Sequence, residues 1–292
     1  MGHGRVVRAR ILYAAESTMT SERTHELLTG TARGFGGAIL FAMPLLMTME
    51  MWELGMHIDP ARLLLFTLLG LPLLIALSHY SGFEDTAYWR DDIRDGIAAY
   101  AIGAVVSLVL LYLFGAIGTQ ATTRGVTMSV AVQAIPAAFG AVLANSQLRG
   151  GEGDKRSEQE QNRLDRATYA AEILFMVAGA LFLAFNLAPT EEMVLISYRI
   201  TPAQCLVLLF LSLALSHTFV YALDFPGQHS VAEGLPWWSI VLRFTVVGYA
   251  VSLLVAAYIL WTFGRFDGAS AGVMVRDSLV LAFPASIGAA EP

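Results

Sequence analysis

The sequence predicts an all-α polytopic membrane protein, with eight transmembrane helices arranged as two parallel-related four-helix repeats. Three observations carry this. First, the 292 residues are 56% hydrophobic and only 14% charged, whereas soluble domains are about a quarter charged. Second, the apolar residues gather into runs of about 17 to 25, the length the hydrocarbon core asks of a spanning helix. Third, the second half of the chain re-reads the first. Strands of a membrane barrel would alternate apolar and polar residues over short segments, and no segment does so.

The runs occupy 33–54, 61–80, 95–117, 125–145, 167–188, 202–223, 238–263 and 270–290. They define a first repeat over 33–148 and a second over 167–292, preceded by an N-terminal segment, 1–32, and joined by a linker, 149–166. The linker, RGGEGDKRSEQEQNRLDR, has the glycines and alternating charges of a flexible polar loop. The N-terminal RVVRARILYAA is too short and too interrupted to span. It reads either as an amphipathic helix on the membrane surface or as an upstream extension ahead of Met19. Of the 18 Lys and Arg residues, thirteen fall on one side of the predicted topology and five on the other. The positive-inside rule then places both termini in the cytoplasm, with the chain integral to the inner membrane. The single Cys205 forms no internal disulfide.

The repeat is legible segment by segment. GAILFAMPLLMTMEM (Gly37 to Met51) aligns without a gap on GALFLAFNLAPTEEM (Gly179 to Met193), an offset of 142 that also pairs Pro60 with Pro202. IALSHY then falls on LALSHT, GAVVSL on GYAVSL, and AIPAAFGA on AFPASIGA. An even number of helices in each unit gives both the same orientation, with a pseudo-two-fold axis along the membrane normal.

The repeated polar residues are the candidate site. In the fourth helix Ser129, Gln133, Pro136 and Gly140 share one face, and the alignment sets Asp277, Leu281, Pro284 and Gly288 on the same face of the eighth. These two helices are expected to meet at the axis, either lining a pathway or forming a packing seam of small residues. Arg276 and Asp277 lie inside the last span, where charge is costly enough to need partners or water, or else at its interface. Glu50 and Glu192 are matched near the outer ends of the first and fifth helices, and Asn186 matches Pro44. Together Glu50, Glu192, Ser129, Gln133, Asn186, Arg276 and Asp277 compose an outward-facing ion pathway in one reading; in the other the glutamates simply meet headgroups and water.

His79 and His217 end the two ALSH segments, followed by Asp85 and Asp224 respectively. Histidine titrates near neutral pH, so these four residues are candidates for a proton relay at the inner mouth. The alternative is that each imidazole bonds a backbone carbonyl and fixes helix packing. The Trp and Tyr residues of the following loops fit an interfacial belt, and Asp91, Asp92 and Asp95 read as solvated partners of Arg90 and Arg94.

The ALSH pair, the segment WRDDIRDG and the duplicated spans resemble a family of bacterial integral membrane proteins catalogued as a domain of unknown function, over most of the chain from about Thr31. The resemblance implies a membrane protein and assigns no activity to any residue. Three functions stay open: a small-ion channel or secondary transporter for a cation or proton, with its pathway between the repeats; a non-catalytic structural or regulatory protein, as a homodimer; and a membrane-embedded lipid-modifying enzyme. The third lacks any metal-ligand spacing, nucleophile motif or DDxxD pattern. The sequence therefore favours ion transport without catalysis, cofactor or metal, with the lipid bilayer and a small ion as partners and no nucleic acid.

Overall fold

The structure, a computed structural model, describes residues 28–81, 89–118, 121–148, 169–222 and 241–290. All regular structure among the described residues is helical. In chain order the helices are α1 (Leu28–Leu46), α2 (Met49–His57), α3 (Pro60–Ser81), α4 (Trp89–Leu113) and α5 (Thr123–Leu148). They are followed by α6 (Tyr169–Leu187), α7 (Glu191–Arg199), α8 (Pro202–Ala222), α9 (Val241–Thr262) and α10 (Ala271–Ala289). Seven are long and apolar enough to cross a bilayer, and the pair α1 and α2 makes an eighth if counted as one span. Within hydrocarbon a helix satisfies its own backbone groups, which is why the apolar runs take this form.

The first predicted span, 33–54, is corrected: it breaks after Leu46, and α2 departs at 88° from α1. Side chains make the break tolerable by taking carbonyls that the helix end leaves open. Thr48 Oγ1 donates to the Leu45 carbonyl at 2.7 Å, and Trp52 Nε1 to that of Leu46 at 2.6 Å. Past α6 the chain does the same, with Thr190 Oγ1 donating to the Leu187 carbonyl at 2.8 Å before the short α7.

The next helices open on proline, which costs nothing at the first helical position. Asp59 caps α3, its Oδ1 accepting from the amides of Ala61 and Arg62 at 2.9 and 3.1 Å. Ahead of α8, Thr201 and Gln204 form a reciprocal capping box, at 3.3 Å from the Gln204 amide and 2.7 Å from the Thr201 amide. The chain leaves α4 and α9 through Gly115 and Gly264, at φ of 72° and 74°. That left-handed turn lets the amides of Ala116 and Arg265 return to the carbonyls of Leu111 and Leu260.

In the first half α5 is central, packed on α2, α3 and α4; in the second, α10 packs on α6, α7, α8 and α9. Glycines allow the closest crossings. A Cβ on Gly140 would lie 2.8 Å from the Gly37 carbonyl oxygen, and one on Gly288 would lie 2.2 Å from that of Gly179. The stripe through Gly140 thus faces α1 of its own half. The expectation that the fourth and eighth long helices meet at a central axis is corrected: among the described helices from α2 onward, α5 reaches the second half chiefly at α6, and α10 packs chiefly on α6, α7, α8 and α9.

The halves join through α3 and α5 against α6 and α9. Phenylalanines fill this seam: Phe66 and Phe139 meet the ring of Phe185 at 5.7 and 6.1 Å, and Phe41 meets that of Phe182 at 4.8 Å. A cavity of about 270 Å³ there is lined by Phe66, Ile135, Phe139, Phe185, Val255 and other apolar residues, with Tyr258. Among the described residues the lining of this seam is apolar and aromatic apart from Tyr258, and holds none of the polar residues expected to line a route between the repeats.

One ion pair ties the halves at the membrane face that holds the α2–α3 junction and the α9–α10 loop. Arg62 Nη2 donates to Asp267 Oδ1 at 2.7 Å and Nη1 to Oδ2 at 3.0 Å, while its guanidinium lies 5.1 Å from the Trp261 ring centroid. The Arg62 guanidinium holds the Asp267 carboxyl below its ordinary value. A depressed pKa means that the contribution is present above the unfolded value and lost as pH falls through the folded one. The stability difference between wild type and Asp267→Asn should therefore be constant around neutral pH and vanish on acidification, measured by unfolding in detergent. Its size should be small, since the pair is solvent-exposed.

Candidate functional site

The polar groups cluster inside each half, where a short helix meets the last long one. In the second half α7 turns Met193 and Ser197 inward, a spacing of four that puts both on one helical face. Ser197 Oγ lies within hydrogen-bond reach of both Asp277 Oδ1 of α10 and the Val194 carbonyl, and its single proton serves one of them at a time. Asp277 is 1% exposed, the seventh residue of a 19-residue span, and the guanidinium groups of Arg276 and Arg265 lie near enough to act on its charge. Arg276 is itself half-buried. Arg265 also donates to the Pro189 carbonyl, in the turn between α6 and α7. Thus Arg276 and Asp277 lie inside the last helix, and Ser197, which sequence reasoning passed over, is the partner that receives the carboxylate.

The first half places α2 against α5 in the same way. Gly55 of α2 lies against Ser129, whose Oγ would be 2.4 Å from a Cβ added to that glycine. Ser129 is 3% exposed. One turn further along α5 is Gln133, 1% exposed, with neither amide atom hydrogen-bonded among the described residues. An unpaired buried amide costs about 1 to 3 kcal/mol, so Gln133 is a site of tension in an otherwise apolar helix. At the end of α6, Asn186 Nδ2 donates to the Phe182 carbonyl at 2.8 Å, while its buried Oδ1 has no partner among the described residues.

Glu50 and Glu192 do not join these groups. They occupy the first turns of α2 and α7, Glu50 half-buried and Glu192 exposed, where a carboxylate is favoured by the helix dipole. The glutamates expected to share a vestibule with Arg276 and Asp277 thus stand on short helices set off from the long spans, Glu50 on α2 and Glu192 on α7.

At the opposite ends of α3 and α8 lie the histidines. His79 Nδ1 is 2.8 Å from Asp92 Oδ2, with the imidazole 47% exposed and the carboxylate 1% exposed. Asp92 is therefore not the solvated residue expected. It heads a stripe of Asp92, Gly96, Ala99 and Gly103 that α4 buries, a helical spacing visible in the sequence but masked there by neighbouring charges. His217 Nδ1 lies 3.0 Å from Thr245 Oγ1, in the π-helical turn Val241–Val246 that opens α9. Such turns recur at functional sites in helices. The two histidines thus take different partners, a carboxylate in one half and a hydroxyl in the other. The proposed relay partners Asp85 and Asp224 lie outside the described residues. Sequence reasoning also missed Glu172, in the first turn of α6, whose Oε2 is buried without a partner among the described residues.

No three His, Cys, Asp or Glu side chains among the described residues converge as a metal site. Chemically, the arrangement offers two buried carboxylates, Asp277 and Asp92, each beside a hydrogen-bonding side chain and near opposite ends of the spans.

No curated protein and no solved structure matches the chain. A protein-family model does, over residues 30–291, with the description "Putative integral membrane protein (DUF2391)". That match covers the described helices from α1 to α10 almost end to end, and its description agrees with the seven long apolar helices. The chain belongs to this family of integral membrane proteins.

Proposed function

We propose that the protein carries a small cation, in the first place a proton, across the membrane, through groups held within its two halves. The observation that carries this is Asp277, a carboxylate 1% exposed in a membrane span and held by Ser197. An ionisable group at that depth is costly, and function is the ordinary reason for keeping one. Reversible protonation relieves the cost, and the Ser197 hydroxyl can donate to the carboxylate or, while donating to the Val194 carbonyl, accept from the protonated acid. His79 with Asp92 supplies a second titratable pair near the opposite face. Arg276 and Gln133 are further polar groups on such a route, and Ser129 and Asn186 stand beside the breaks that open it.

We read the chain as two like-oriented units. In support, the order long, short, long, long, long occurs twice, and both short helices have nine residues. The glycine crossings Gly37 with Gly140 and Gly179 with Gly288 correspond, as do the glycine exits at Gly115 and Gly264. The α9–α10 loop also lies on the same face as the α2–α3 junction, as like orientation demands.

The test is proton flux in liposomes holding the purified protein, driven by a pH gradient and read with an enclosed dye. Asp277→Asn keeps an acceptor for Ser197 and removes the titratable proton. Flux is expected to fall by about tenfold or more, with unfolding stability close to wild type. A second reading, a packing protein whose hydrogen bonds fix helix positions, draws on the aromatic seam between the halves. It is favoured instead if wild type and Asp277→Asn give the same flux as empty liposomes.

A further inference from the structure

A cavity of about 570 Å³ lies at one end of the first half, between the α2–α3 junction and the start of α5. Its polar lining includes Arg124, Ser129, Thr122 and Asp59, and its walls include Met56 and Ile117. We propose that this cavity holds a phosphate oxyanion, carried by an anionic phospholipid headgroup or by free phosphate.

Three observations point to an anion. Arg124 is exposed to the cavity and has no ion pair or side-chain hydrogen bond among the described residues. Ser129 is 3% exposed, lines the cavity, and its hydroxyl likewise has no hydrogen-bond partner among the described residues. The cavity meets the N-terminus of α5, where Thr122 takes the Gly125 amide on its Oγ1 and the Val126 amide on its carbonyl, leaving the amides of Thr123 and Arg124 ahead of this cap; such a terminus attracts anions. The one carboxylate in the lining, Asp59, is oriented as the cap of α3 by the amides of Ala61 and Arg62; these neutral donors leave its charge in place, so Arg124 and the helix terminus have to outweigh it when an anion binds. Met56 and Ile117, at the end of the spans, suit the apolar part of a lipid beside its headgroup.

The second half shows what such a place takes. By the two-unit reading above, on which only this comparison rests, Ser129 corresponds to Asp277 and Gly55 to Ser197. There the chain provides its own carboxylate, bonded to Ser197. In the first half the same position carries a hydroxyl without a carboxylate partner, beside an open cavity and an arginine, a setting that an external oxyanion would complete.

The experiment uses the full chain in phosphatidylcholine nanodiscs, with two arms. In one, phosphatidylglycerol is mixed into the discs and its retention on the released protein is read by native mass spectrometry. In the other, inorganic phosphate is titrated and thermal unfolding is followed. Retention of phosphatidylglycerol alone identifies a headgroup site, and a response to phosphate identifies a site for the free ion. In whichever arm responds, Arg124→Gln should weaken binding by about tenfold, the scale of one charge-assisted hydrogen bond. Ser129→Ala, which keeps the charge, should weaken it by about threefold, giving a second readout should the arginine variant not fold. Arg199→Gln removes one charge from the corresponding junction of the second half and should bind as wild type does. No binding in either arm, unchanged binding in Arg124→Gln and Ser129→Ala, or an equal loss in Arg199→Gln would overturn the proposal. Because the readout is binding, failure here leaves the proton-flux result standing, and the reverse.

Discussion

Exchanging Gly179 for valine should lower the stability of the folded protein by about 3 kcal/mol, the upper range for forced overpacking. A Cβ at this position would sit 2.0 Å from the Gly288 carbonyl oxygen. That atom is backbone, so it cannot swing aside as a side chain does, and α6 and α10 must separate. The separation also loosens the contact that presents Asp277 to Ser197, since all three helices involved pack on one another through α10. Gly272→Ala is the matched control. It lies on α10, the helix that Gly179 of α6 meets, with open space around it, and its effect should stay within about 0.5 kcal/mol. Both are measured by denaturation in detergent, followed by loss of helical signal. Equal stability for the two variants would mean that the crossing is looser than described.

What was legible in the sequence follows from what controls each feature. Span length is set by bilayer thickness, so eight apolar runs could be read directly, and most of their boundaries agree with the helices. The break at Thr48 was not read, because TMEM is apolar enough to extend the preceding run. Its signal is local: a threonine followed by acid in the next turn, as in Thr48 with Glu50 and Thr190 with Glu191, marks a new helix start. Missing it placed Glu50 and Glu192 at span ends and hid Ser197, which has no special neighbours in sequence and matters only through α10. Asp92 was lost for another reason. Burial of a charge depends on which face of α4 meets α3 and α5, and that face is marked by Gly96, Ala99 and Gly103 and not by the charges beside it. The seam between the halves is equally invisible from one strip of sequence, since Phe66, Phe139 and Phe185 meet only in three dimensions.

Replacing His79 by leucine is the second large effect. It removes an imidazole that lies 2.8 Å from a carboxylate 1% exposed. Removing one hydrogen-bonding partner of a buried carboxylate costs about 2 kcal/mol, since Asp92 keeps contacts besides His79 and the imidazole is itself 47% exposed. Asp92→Asn should cost less, about 1 kcal/mol, because an amide still offers His79 an acceptor and the half-exposed imidazole can be hydrated. The order is the diagnostic part: His79→Leu below Asp92→Asn in stability, both compared with wild type in the same detergent. If the pair also gathers protons, Asp92→Asn should slow flux in the liposome assay at a cost in stability too small to explain it. The reverse order of stabilities would show that the carboxylate is satisfied by its other neighbours and that His79 is peripheral.

The central structural claim is that the polar groups lie within each half, where the short helix meets the last long helix, and not between the halves. Cross-linking tests it most directly, in a Cys205→Ser background so that no native thiol competes. With Ser197→Cys and Asp277→Cys together, mild oxidation should link α7 to α10 in nearly every molecule, read as a mobility shift after proteolysis between them. With Ser129→Cys and Asp277→Cys together, no link should form within the chain. A strong link in the second pair with none in the first would put α5 against α10 at a common axis and contradict the account.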